Sequence, residues 1–223
     1  FIHHDNLYLR NIAWGLNQIS YGSEDGLYIN GHVTGNSPYL TFEWKAGKDG
    51  EHHEVKTQLI GEYNFANALA AVTIGHFFDV ESGKIDTALK EYTPQNNRSQ
   101  LKQTADNTLI IDAYNANPTS MQASISNFHN MEIDNKMLIL GDMRELGKDG
   151  PKEHQKIVDF LTECGFKDVM LVGEQFAAAR HDFPTYPDAP AVIEALQKNK
   201  PHGKTILIKG SNGIKLSTVI DYL

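Results

Sequence analysis

The stretch "LIIDAYNANPTSM", Leu109 to Met121, decides how the chain is read. An apolar run, Leu109-Ile110-Ile111, stops abruptly at Asp112, and Tyr114, Asn115, Asn117 and Pro118 follow within a few positions. The run is too short for a helix and reads as a strand buried on both faces, ended by a turn that gathers hydrogen-bonding side chains. The same grammar recurs downstream in "MLILGDM" (137–143), "DVMLVGE" (168–174) and "TILIKGS" (205–211). Between these runs, 151–164 and 189–199 carry apolar residues at helical spacing. Alternating strands and helices predict a doubly wound, Rossmann-like α/β domain with a parallel sheet. In such a sheet ligands sit beyond the carboxyl ends of the strands. The turns beginning near Asp112, Gly141, Gly173 and Gly210 are therefore expected along one edge. Asp112, Asp142 and Ser211 stand there as candidate site residues, with helix capping and turn formation as the alternative reading of each.

Upstream the pattern changes. Residues 21–60 are rich in Gly and polar residues, and "YLTFEW" (39–44) and "HHEVKTQLI" (52–60) suggest antiparallel or mixed strands joined by turns. In "GEYNFANALAAVTIGHFF" (61–78) a helix is expected, with Asn64 and Asn67 one turn apart near its start. A second helix over about 82–91 precedes Thr93-Pro94, and "PQNNRSQ" (94–100) reads as a linker. A domain boundary is placed near 94, giving units 1–93 and 94–223.

Composition narrows the function. The chain has 223 residues, 40% hydrophobic and 22% charged, ordinary values for a globular protein with a sizeable core. With 28 acidic against 20 basic residues its formal charge is −8, and without a basic block nucleic-acid binding is not expected. No apolar run approaches the roughly 18 residues of a membrane span, and the first residues lack signal-peptide character, so a cytoplasmic location is expected. Cys164 is the sole cysteine, which excludes an internal disulfide; at a helix end it reads as a packing residue. The pairs His3-His4 and His52-His53 point to opposite faces of a strand and read as solvated surface rather than metal ligands. A chain that begins at Phe1 rather than Met is expected to be a fragment or processed product.

No GxxxxGK[ST] loop and no GxGxxG fingerprint is present. Three features nonetheless suit a nucleotide. Asn64 and Asn67 both donate and accept, as an adenine edge requires. The forked donors of Arg98 match phosphate or ribose, and Asp112 could accept from ribose hydroxyls.

At these residues the sequence resembles a known family. "NRSQ", "LIIDAYNANPTSM", "MLILGDMRELG", His154 and "LIKGS" are similar, in order and spacing, to the C-terminal part of the Mur ligases, and "GEYNFANALAA" looks like the HNxxNxxAA helix of that family. Tyr63 stands where the motif usually has His. Asn212 follows "KGS" where many relatives have Arg, which puts any role of that Arg in doubt. The resemblance implies that 1–93 is the last part of a P-loop-type central α/β ATPase domain and 94–223 the C-terminal Rossmann-like domain. It implies an ATP-dependent amide-bond ligase of peptidoglycan synthesis, adding D-alanyl-D-alanine to UDP-N-acetylmuramoyl-tripeptide through an acyl phosphate. Asn64, Asn67, Arg98, Asp112, Tyr114, Asn115 and Asn117 would face ATP. Asp142, Lys209 and Ser211 would serve the dipeptide side or domain closure. The P-loop and the Mg²⁺ ligands are expected upstream of Phe1, so this stretch alone is expected to be inactive. The alternative is a non-catalytic nucleotide- or peptide-binding module derived from the ligase fold.

Overall fold

The structure, a computed structural model, describes residues 1–95 and 97–223. Asn96, within the expected linker, lies outside the described residues. The chain divides into two units, Phe1–Thr93 and Pro94–Leu223.

In the first unit the elements are β1 (Ile2–His3), α1 (Leu7–Ile12), β2 (Ser20–Gly22), β3 (Ile29–Asn36), β4 (Tyr39–Ala46), β5 (His53–Ile60), α2 (Phe65–Phe77) and α3 (Ser82–Glu91). The five strands form one sheet in the order β1-β2-β3-β4-β5, parallel from β1 to β3 and antiparallel from β3 to β5. Period-two burial in β4 shows why: Leu40, Phe42 and Trp44 are buried, while Tyr39, Thr41 and Glu43 are not. The buried face packs against Ala68, Leu69 and Val72 of α2 and Ile85 of α3.

This face corrects the reading of His53 as solvated surface. Its ring stacks on Trp44 with centroids 4.3 Å apart, and its Nδ1 lies 2.9 Å from Asp86 Oδ2. The Trp44 indole N–H donates to the other oxygen of Asp86 at 2.8 Å. His52, one residue earlier, is exposed on the opposite face beside Glu43. Adjacent strand residues thus divide between core and solvent, and the division depended on which of the two met the helices.

The second unit contains β6 (Gln100–Gln103), β7 (Thr108–Asp112), α4 (Pro118–Asn130), β8 (Lys136–Gly141), α5 (Gly150–Glu163), β9 (Val169–Val172), α6 (Glu174–Ala178), β10 (Thr185–Tyr186), α7 (Ala189–Lys198) and β11 (Thr205–Lys209), then a 3₁₀ segment over Leu216–Tyr222. Its sheet runs β10-β9-β8-β11-β7-β6, parallel throughout except for the antiparallel edge strand β6. The four apolar runs became β7, β8, β9 and β11, each buried on both faces. One face, with Leu109, Ile111, Ile139, Val172, Ile206 and Ile208, packs against α7 and the 3₁₀ segment. By strand alternation Ile110, Leu138, Leu140, Leu171 and Leu207 turn to the other face. This is a Rossmann-like α/β domain. No helix among the described residues is long and apolar enough to cross a membrane.

Candidate functional site

Register fixes what meets at the carboxyl edge of the second sheet. Strand β11 lies between β8 and β7, so Lys209 is level with Asp112 on one side and Leu140 on the other. Gly141 at the end of β8 is level with Val172 at the end of β9. The strand ends that the sequence places along one edge therefore lie side by side.

Lys209 is 1% exposed, and its ammonium forms an ion pair with Asp112 Oδ2. It also donates to the Asn115 carbonyl at 3.5 Å. A buried ammonium without a counter-charge would be strongly disfavoured, so Asp112 is what permits a lysine there. Asp112 accepts two further hydrogen bonds: Ser124 Oγ–H donates to Oδ2 at 3.3 Å, and the Ser99 N–H donates to Oδ1 at 3.4 Å. One carboxylate thus ties together β7, β11, α4 and the turn before β6.

That turn carries Arg98. Its neighbours Asn97 and Ser99 both adopt positive φ, at 57° and 45°, which non-glycine residues seldom do without a reason in the surrounding structure. The guanidinium lies over the ring of Tyr114, 3.8 Å from its centroid, and Tyr114 is 45% exposed. A planar cation stacked on an aromatic ring at an open strand end presents a π surface and charged donors side by side. Asn115 is exposed next to it, with its Oδ1 accepting the Ala116 N–H at 2.9 Å. Asn117 is the N-cap of α4: its Oδ1 accepts the Ser120 N–H at 2.8 Å, its own N–H donates to Ser120 Oγ at 3.1 Å, and Pro118 follows in the first turn.

At the end of β8 a second carboxylate is placed differently. Asp142 Oδ2 accepts the Gln175 N–H and Oδ1 accepts the Phe176 N–H, both at 3.0 Å, at the start of α6. His154 Nε2 is also 3.6 Å from Asp142 Oδ1. The fully buried imidazole donates from Nδ1 to the Gly150 carbonyl at 2.7 Å, and its Nε2 accepts the Met143 N–H at 3.0 Å. That arrangement requires the neutral ring. Ser211 completes the edge: its N–H donates to the Asp142 carbonyl at 3.2 Å, and its Oγ accepts the Arg144 N–H at 2.8 Å. The roles of Ser99, Ser124 and Arg144 escape a reading of the sequence, because they depend on partners far away in the chain. The local "GDMRELG" string was the one available signal for Arg144.

In the first unit, Asn64 ends a 3₁₀ turn, and its Nδ2 donates to the Ile60 carbonyl at 2.8 Å. Asn67 Nδ2 donates to Asn64 Oδ1 at 3.3 Å, so the two amides do lie on one side of the helix start. Gly61, which opens this turn at φ 92°, has the Tyr63 ring so close that an added Cβ would sit 2.3 Å from it. Cys164 caps the end of α5, and burial, then Glu163, pushes its thiol pKa up, which leaves it a poor nucleophile.

A parallel sheet with a charged, hydrogen-bonded cluster along its carboxyl edge defines a Rossmann-like α/β domain, and that edge is its candidate site. Residues 97–212 match the family model "Mur ligase, glutamate ligase domain", and the chain belongs to the Mur ligase family. It is 26% identical over its whole length to the UDP-N-acetylmuramoyl-tripeptide–D-alanyl-D-alanine ligase of Synechocystis, covering 49% of that protein. Among solved structures, MurF from Acinetobacter baumannii superposes with a TM-score of 0.80 at 24% identity, over 98% of this chain and 49% of that one. MurF from Thermotoga maritima, in complex with ADP, gives 0.80 at 18% identity, over 99% and 51%. The chain spans about half the length of the relatives it matches.

Proposed function

We propose that this chain is part of an ATP-dependent ligase that joins D-alanyl-D-alanine to UDP-N-acetylmuramoyl-tripeptide in peptidoglycan synthesis. In this reading 1–93 is the end of the central ATPase domain and 94–223 the C-terminal domain. The observation that carries it is the Arg98–Tyr114 stack, tied through the Ser99 N–H to the Asp112–Lys209 pair at the strand edge. The family membership and the names of the relatives support the same reading.

Tripeptide carboxylate is a poor electrophile. Its oxygen attacks the γ-phosphorus of ATP, ADP leaves, and the dipeptide amine then attacks the acyl carbon as the C–O bond to phosphate breaks. The released proton passes to solvent. Protein groups serve such steps chiefly by positioning and by neutralising phosphate charge. Arg98 and Tyr114 would meet the nucleotide by charge and stacking. Asp112 has about four lone-pair sites and three internal donors, which leaves one acceptor for a ribose hydroxyl. Exposed Asn67, steadied by Asn64, would present its amide to the adenine edge, and Asn115 and Asn117 would shape the loop. The Mg²⁺ that accompanies ATP would be held mainly by residues outside this chain. The cytoplasm, where ATP is available, is the proposed location.

The test uses the longer protein that carries this chain together with a GxxGK[ST] segment. ADP is expected only when tripeptide and D-alanyl-D-alanine are both present, and the 223-residue stretch assayed alone is expected to be silent. ADP formation unaffected by omitting the dipeptide would sink the proposal.

A further inference from the structure

Beside the Asp112 cluster, the same sheet edge opens into a cleft of about 650 Å³, lined by Asp142, Arg144, Glu145, Gly173, Glu174 and Ile214 among others. A volume of this order is that of a small-molecule site. Among the described residues Arg144 is its one cationic side chain. The backbone beneath it is held by three hydrogen bonds to two buried residues: Met143 N–H to His154, Arg144 N–H to Ser211 Oγ, and the Ser211 N–H to the Asp142 carbonyl. The next residue, Glu145, is at φ 68°, an unfavourable conformation for a side chain with a Cβ. The guanidinium reaches across to Gly213, where an added Cβ would sit 2.2 Å from its Nη1. Among the described residues no carboxylate pairs with it. A fixed main chain therefore delivers an uncommitted, forked donor into a cleft.

We propose that Arg144 binds the free α-carboxylate of the incoming dipeptide and sets the preference of the enzyme for a substrate with an unblocked C-terminus; this rests on the ligase reading above. The charge around the cleft favours that ligand class. Glu145, Glu174 and the buried Asp142 outnumber the single Arg, so a polyphosphate is repelled, whereas a zwitterion with one carboxylate is accommodated. Planar two-point donation to a carboxylate is what guanidinium does and ammonium does not. Met143, Leu146, Pro187 and Ile214 supply apolar surface for small side chains.

In the longer protein, D-alanyl-D-alanine is compared with its C-terminal amide. Wild type is expected to prefer the acid by on the order of 10- to 100-fold in kcat/KM. Arg144→Ala should raise KM for the acid by a similar factor, leave KM for the amide and for ATP unchanged, and so abolish the preference. Arg144→Lys should restore only part of it. Gly213→Ala, which displaces the guanidinium but keeps its charge, should also weaken the preference. Arg144→Ala with the wild-type acid preference intact would overturn the assignment. If wild type shows no dipeptide-dependent turnover, the ligase reading itself fails. Arg144 is then judged by calorimetric titration of the longer protein with the two dipeptides: binding of the acid alone, lost in Arg144→Ala, upholds the carboxylate site, and any other result rejects it.

Discussion

Two aspartates end successive apolar runs of one largely parallel sheet, and they do different work. Asp112 closes β7 and faces a buried lysine; Asp142 follows β8 and faces only backbone N–H groups and a neutral histidine. Their local sequences, an apolar run followed by Asp within a turn, look alike. What separates them is the strand inserted between β7 and β8: β11 brings Lys209 against Asp112, while the peptide after β9 brings the start of α6 against Asp142. A strand-end carboxylate takes its role from the neighbour that the topology supplies.

The comparison breaks most visibly at the ion pair. Lys209→Met leaves a largely buried Asp112 without its cation and should cost about 3–5 kcal/mol in urea unfolding. Adding Asp112→Leu should recover only part of the loss, because it removes the desolvated charge but also the acceptor of the buried Ser99 N–H and Ser124 hydroxyl. Asp142→Ala removes a cap from two N–H groups and should cost less, about 1–3 kcal/mol by the same measurement. Equal losses at the two positions would mean that both carboxylates are simple caps. Asn117→Ala deletes one reciprocal cap of α4 and should cost roughly 1 kcal/mol, read as a shift in thermal midpoint. Arg98→Ala should change stability least, below about 1 kcal/mol for an exposed cation–π contact, while raising KM for ATP in the longer protein. A large stability loss there would make Arg98 a structural residue and remove the main support for a nucleotide-facing turn.

Much of this architecture was legible because β7, β8, β9 and β11 are short apolar runs whose burial on both faces is written in consecutive residues. The helices over 150–163 and 189–198 follow from spacing in the same way. Strand β6 was hidden in a polar segment, because an antiparallel edge strand has one open side and needs no apolar run. Arg98 and Asp112 stand out in the sequence by residue type, and Tyr114 only through the family resemblance, but their stacking and bonding do not: Ser99, Ser124 and Lys209 reach Asp112 from 13, 12 and 97 residues away. His53 was misread for a related reason. Neighbouring histidines are equivalent in the sequence until Asp86 and Trp44, contributed by a helix and another strand, distinguish them.

The placement of β11 in the middle of its sheet has a consequence for synthesis. At about 5–20 residues per second, the ribosome makes Asp112 roughly 5–20 s before it makes the lysine that neutralises it. During that interval the gap between β7 and β8 stays unfilled, and two apolar strand edges have no partner. The nascent domain therefore depends on β11 to close its sheet and complete its carboxyl edge in one event. A nonsense codon between the end of β9 at Val172 and the start of β11 at Thr205 would yield a chain with an open sheet and a carboxylate lacking its lysine, a species for quality control rather than a weaker version of the domain.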